Sequence, residues 1–221
     1  MQRIIEKNLA SLLVMGLLSL PVSAFHQDAQ VNEASATSVL ETKLGKHELK
    51  AKSEQSAELQ SVLIGQAKQK IKSFATELKA ELVGAIKAGG LEAGVAVCHS
   101  KAPEIASRLS TDGWTVARTS LRTRNIKNAP DDWESNMLKQ FDERFKQGEA
   151  ASNLSAVLST EDQFRLMKAI PMDQVCLACH GSSISPQLKS TLQKHYPNDT
   201  ATGFSLEDIR GAFTLEKSVS E

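Results

Sequence analysis

The chain has 221 residues, with 26 Lys and Arg balanced by 26 Asp and Glu. Zero net charge gives no electrostatic basis for binding nucleic acid or an anionic membrane surface. One Tyr and two Trp leave little material for a large aromatic-lined ligand site, and the three cysteines are an odd number.

Arg3 and Lys7 make a basic start, Leu9 to Leu20 form a short apolar run, and Val22-Ser23-Ala24 offers small residues for cleavage. Residues 1–24 therefore read as a secretory signal peptide cut after Ala24. The apolar run is too short to span a bilayer, and no later stretch reads as apolar enough. No cysteine stands at the cleavage point to take a lipid. Export to the periplasm is the expectation. Residues 25–57 are rich in Ala, Ser, Glu, Gln and Lys without a sustained apolar period, and read as a flexible or weakly helical leader.

From Glu58, Leu59, Leu63, Ala67, Ile71, Phe74, Leu78, Leu82 and Ile86 recur at spacings of three and four, which predicts one long amphipathic helix. Gly89-Gly90 stops it. A second helical stretch carries Leu91, Val95, Cys98, Ala102, Ile105, Ala106 and Leu109 on one face. Pro103 lacks an amide donor and is expected to break it near Ser100. After Gly113, Trp114 to Thr119 reads as a strand and Asn125 to Pro130 as loop. Asp131 or a neighbour caps a helix to about Gly148, with Trp133, Met137, Phe141 and Phe145 at helical spacing. Phe164, Leu166 and Ile170 mark a strand, Ser185-Pro186 a short helix start, and Gly211 to Leu215 a last strand before a tail over 216–221. Helices and isolated strands mix without a βαβ rhythm, so the class is α+β, with one domain over 58–215 and no internal repeats.

The chemistry is concentrated in Cys176-Leu177-Ala178-Cys179-His180. Two thiols separated by two residues reach the two vinyl groups of one porphyrin edge, and the following histidine sits beneath the iron. This is the attachment signature of a single covalent haem c. Zinc needs four ligands, and no second C-x-x-C or H-x-x-x-H completes a tetrahedron. A thioredoxin-like dithiol gives the histidine no role. Covalent haem attachment in bacteria takes place outside the cytoplasmic membrane, so export signal and motif agree.

Cys98 is then left over in an oxidising compartment, to pair between chains, to lie inert in a core, or to bind the iron. Among candidates for the second axial position, Met172 is tethered too closely to Cys176, and Met137 and Met167 fall in apolar patterns that suit core packing. Cys98, on the apolar stripe of its helix, is the better candidate, although free cysteine is commonly buried without a role. His99 points away around the helix, toward solvent. His26 and His47 belong to the leader, and His195 reads as a helix-terminal cation with a distal ligand as its alternative. Arg118, Arg122 and Arg124 alternate at strand-like spacing, so they read either as a face toward the haem propionates or as a solvated basic edge. Trp114 and Trp133 are assigned to the core.

Several segments together resemble a family of c-type haem proteins with a PAS-like fold, monohaem proteins of cyanobacteria and proteobacteria formerly classed as a domain of unknown function. They are Val97 to Ala106, Arg118 to Asn125, Asn128 to Asp131, Cys176 to Gly181, Tyr196 to Asp199, Gly203-Phe204 and Asp208 to Phe213, spread over residues 58–215. The resemblance implies a PAS-like antiparallel sheet with a long N-terminal helix and flanking helices around one haem. It also implies iron held by His180 and Cys98. A thiolate ligand favours ferric iron and lowers the reduction potential, and its loss on reduction opens a site for a small gas. The expected function is a periplasmic redox or diatomic-gas sensor with a redox or signalling partner protein. The alternative is a periplasmic electron-transfer cytochrome. An enzyme ranks last, because no distal His/Arg pair appears and a cysteine-capped iron has no free position. A four-helix cytochrome is disfavoured by the strands at Trp114 and Gly211.

Overall fold

The computed structural model describes residues 31–219, with side chains from 45 onward. The expected signal peptide over 1–24, residues 25–30 of the leader with His26, and residues 220–221 lie outside the described residues. The chain divides into two units, residues 1–52 and 53–221. In the first, the leader is helical from Val31, and its described side chains from 46 are exposed, Leu49 at 71 %.

Helix α1 (Val31–Leu109) has non-helical backbone at Gly89 and Gly90. Gly90 takes a φ of 76°, a left-handed value that glycine adopts without steric cost. The chain doubles back there. A Cβ on Gly94 would stand 2.9 Å from Ile86 Cγ1, Lys70 Nζ donates to the Leu109 carbonyl at 2.9 Å, and Arg108 pairs with Glu77. The two arms are an antiparallel helical pair. The expected break near Ser100 does not occur, because the second arm runs through Pro103 to Leu109. Proline forfeits one amide bond there, and burial of Ala102 and Ile105 on either side offsets it.

Strands β1 (Trp114–Thr119), β2 (Ser155–Ser159), β3 (Gln163–Pro171) and β4 (Ile209–Ser218) form one antiparallel sheet in the order β1-β4-β3-β2. β4 is longer than its apolar core suggests, because its backbone pairs on both sides, with Lys217 opposite Trp114 and Ser218 opposite Gln163. Residues 216–218 thus belong to the sheet and not to a tail.

One face of the sheet carries α1. Leu63, Ala67, Ile71, Phe74 and Ile105 pack on Trp114, Val116, Phe164, Leu166, Phe213 and Leu215. Leu59, placed on the same stripe by periodicity, lies outside this core at 51 % exposure. The other face carries α2 (Asp132–Lys146), started by a capping box between Asp131 and Glu134. Its Leu138 and Phe141 cover Leu154, Met167, Ala169, Ile209 and Ala212, with Trp133 and Met137 alongside. Both tryptophans and two of the methionines weighed as iron ligands are therefore core. Helices α3 (Gln174–His180) and α4 (Pro186–His195) flank the sheet, α4 with Ser185 as cap and Pro186 in its first turn. The architecture is α+β, an antiparallel sheet with a long N-terminal helix and flanking helices.

Contrary to the sequence expectation, the helical stretch Gly45–Leu109 contains an 18-residue window of mean hydropathy 1.2, apolar enough by length and composition to cross a membrane. Phe74 and Ile105 from the same stretch are already committed to the sheet core.

Candidate functional site

The C-x-x-C-H motif is α3 itself. Asp173 caps it, accepting from the Val175 amide at 3.4 Å, and also receives Lys79 Nζ from α1 at 2.8 Å. The two cysteines face different clusters. Cys179 lies against Leu91, Val95, Ile184, Leu188, Leu192 and Tyr196, joining the second arm of α1 to α4. Cys176 and Leu177 lie against Met172, Ala201 and Phe204. Burial pushes both motif thiols above the usual cysteine value, and all three cysteines are free thiols.

His180 is held from three sides. Its Nδ1–H donates to the Ala201 carbonyl at 2.7 Å, its own carbonyl accepts from the Phe204 amide at 2.9 Å, and its ring meets the Phe204 ring edge-on at 6.2 Å. Burial first, then the charges of Arg210, Arg124 and Arg118, hold its pKa well below the ordinary 6.5. The imidazole is therefore neutral with its proton on Nδ1, which leaves the Nε2 lone pair as a metal donor.

Cys98 joins this group from the second arm of α1, one turn beyond Val95. It is half-buried, between the buried Val95 and Ala102. Burial pushes the Tyr196 hydroxyl up to about 12. His99, next in sequence, is exposed as expected from the helical angle, but its ring contacts His195 at 5.0 Å and Tyr196 at 5.4 Å. His195 occupies the last turn of α4, and His47 is exposed.

The three sequence-predicted arginines do not form one strand face. β1 ends at Thr119, so only Arg118 is on the sheet. It lies over the Phe74 ring at 5.2 Å and makes no hydrogen bond among the described residues. Arg122 stacks on Phe204 at 3.5 Å and donates to the Thr202 carbonyl at 3.1 Å, with Asp208 at 3.7 Å. Arg124 is buried and fully engaged. Its Nε donates to Asp199 at 3.0 Å, its Nη2 to the carbonyls of Cys179 at 2.6 Å and Ala201 at 3.2 Å, and its Nη1 to His180 Nε2 at 3.5 Å.

Periodicity gave no role to Arg210, Tyr196, Asp199, Ala201 or Phe204. Arg210 Nη1 donates to Ser120 Oγ at 3.0 Å and to the Arg122 carbonyl at 3.2 Å, and the guanidinium lies 5.2 Å over Phe204. Burial, then the charges of Arg124 and Arg118, depress its pKa to about 10. The only signal of these residues was their place in the segments Tyr196 to Asp199, Gly203-Phe204 and Asp208 to Phe213 that carry the resemblance.

An antiparallel α+β domain with a C-x-x-C-H helix beside the second arm of α1, which itself carries a third cysteine, defines the class of protein. Residues 46–218 match the Tll0287-like family, and the chain belongs to it. Among solved structures it is similar to the crystal structure of the cyanobacterial heme-protein Tll0287, at 23 % identity and a TM-score of 0.53, over 69 % of this chain and 95 % of that one. At that identity the likeness is one of fold. No curated protein matches the chain.

Proposed function

We propose that this site holds one haem, attached through thioethers to Cys176 and Cys179, with His180 Nε2 and Cys98 Sγ as axial ligands. The protein is then a periplasmic sensor of redox state or of a diatomic gas, exported through residues 1–24 and read by a redox or signalling partner protein. Haem, when bound, supplies a one-electron change at iron. The observation that carries the reading is the C-x-x-C-H helix, with Cys98 one turn beyond Val95, which packs in the same cluster as Cys179. The donor set fits: the neutral imidazole presents Nε2, and the motif cysteines are free thiols. The 3.5 Å contact of Arg124 Nη1 with Nε2 is the weakest Arg124 makes and is the one a metal at Nε2 replaces.

Sensing follows from Cys98. With haem bound, Cys98 would hold the iron through its sulfur, so a side chain on the second arm of α1 would be tied to the iron's state. With His180 and Cys98 both engaged, no coordination position is left for a substrate, and the role is binding and not catalysis. The fold of Tll0287, a heme-protein by its description, supports haem as the group. Haem-peroxidase staining after denaturing electrophoresis tests attachment: the stain stays with the chain. Loss of the colour into acidified organic solvent refutes it. Carbon monoxide added to the reduced protein tests the role: binding supports sensing, and fast electron self-exchange without binding makes the protein an electron carrier.

A further inference from the structure

We propose that Arg210 and Arg118, and not Arg122 or Arg124, carry the two propionate carboxylates of the haem; this rests on the reading above. Among the described residues, Arg122 and Arg124 reach a carboxylate, and Arg118 and Arg210 do not. Asp199 serves Arg124 at 3.0 Å, and Asp208 serves Arg122 at 3.7 Å. Arg118 and Arg210 have no carboxylate partner among the described residues. The Arg118 guanidinium lies over the Phe74 ring face. Arg210 spends one nitrogen, Nη1, on Ser120 Oγ and the Arg122 carbonyl, leaving Nε and Nη2 without a partner among the described residues.

Both arginines are half-buried, and a guanidinium at that depth with no carboxylate contact gains from a ligand anion. Two guanidiniums without a carboxylate contact match the two carboxylates of one haem in number and sign. The planar fork of arginine is the donor geometry a carboxylate takes up. Both sit within electrostatic reach of His180, and Arg210 shares the Phe204 ring with it. The engaged pair acts on the backbone instead. Arg124 fastens α3 to the segment around Ala201, and Arg122 fastens the loop at Thr202 and Gly203.

A cation beside the haem favours the state carrying the extra electron. Replacing Arg210 by Gln keeps amide donors for Ser120 Oγ and the Arg122 carbonyl but removes the charge, and Arg210→Lys keeps the charge without the fork. Midpoint potentials of the holoprotein are measured for wild type, R210Q, R210K, R118Q and the surface control R144Q. The expected result is a shift of at least tenfold in the ferric-to-ferrous ratio toward ferric iron in R210Q and R118Q, about 59 mV for one electron. R210K and R144Q stay near wild type. Wild-type potentials in both R210Q and R118Q overturn the proposal, as does an equal fall in R210Q and R210K, which reports lost bonding geometry. If R210Q fails to accumulate, R118Q decides alone, since Arg118 gives up no hydrogen bond. Loss of haem stain from the wild-type chain is a separate failure, of the haem reading itself.

Discussion

Replacing Asp199 by Ala tests how the motif is held. Asp199 Oδ2 receives Arg124 Nε at 3.0 Å, and Oδ1 receives the Ala201 amide at 2.8 Å. The side chains of Arg124 and Asp199 are 8 % and 10 % exposed, so the pair is buried and little screened. Removing one member of such a pair strands the other charge and costs about 3–5 kcal/mol. For a chain of this size each kcal/mol lowers the melting temperature by about 2–4 °C, which gives a fall of about 6–20 °C. The holoprotein is melted and followed by far-UV circular dichroism. The double variant R124M/D199A, which removes both charges, is expected to melt above D199A. A D199A melting point within about 2 °C of wild type, or a double variant that melts below it, refutes the argument that the ion pair holds α3 to the Ala201 segment.

Asp173, whose carboxyl is held below its ordinary 3.8 first by the hydrogen bond from Lys79 and then by the Val175 amide, adds stability that is complete above that value and is lost as pH falls through the depressed one. Asp173→Ala is expected to cost about 0.5–2 kcal/mol as a lost helix cap, and acid titration of the melting temperature should show a shallower fall in the variant. Gly211 lies where a Cβ would collide with the Thr119 carbonyl, so Gly211→Ala should push β1 from β4 beside Arg210 and lower the yield of haem-loaded protein; normal yield and melting would contradict that close approach. Limited proteolysis within residues 46–52, all exposed, should leave the visible spectrum unchanged, and a collapsed spectrum would show that the leader supports the site.

Elements with a strong local signal were legible in the sequence. The long helix ending at Gly89-Gly90, the cap at Asp131, the Ser185-Pro186 start and the apolar part of β4 each follow from residues within a few positions. β2 was missed because Ser155 to Ser159 alternates half-buried with exposed positions and lies at the sheet edge, where little apolar surface is needed. Pro103 misled because its local cost is offset by core contacts that no local pattern reveals. The basic cluster misled for a related reason: alternating spacing implies one face only while the strand continues, and β1 stops at Thr119. In the site, the C-x-x-C-H motif was legible from its spacing, while Cys98 as an iron ligand came from the family resemblance and not from spacing. Arg210 and Ala201 were not legible, since Ala201 meets His180 from 21 residues away in sequence and Arg210 meets Phe204 and Ser120, through contacts that exist only after the sheet forms.

The central claim is that Cys98 Sγ and His180 Nε2 share one haem iron. The most direct measurement is the ferric absorption spectrum of Cys98→Ala beside wild type, with His99→Ala as the neighbour control. The expected result is a low-spin wild type, a change to high spin or another ligand set together with a higher reduction potential in Cys98→Ala, and neither change in His99→Ala. An unchanged ferric spectrum in Cys98→Ala would contradict it, return Cys98 to the core, and leave electron transfer as the leading function.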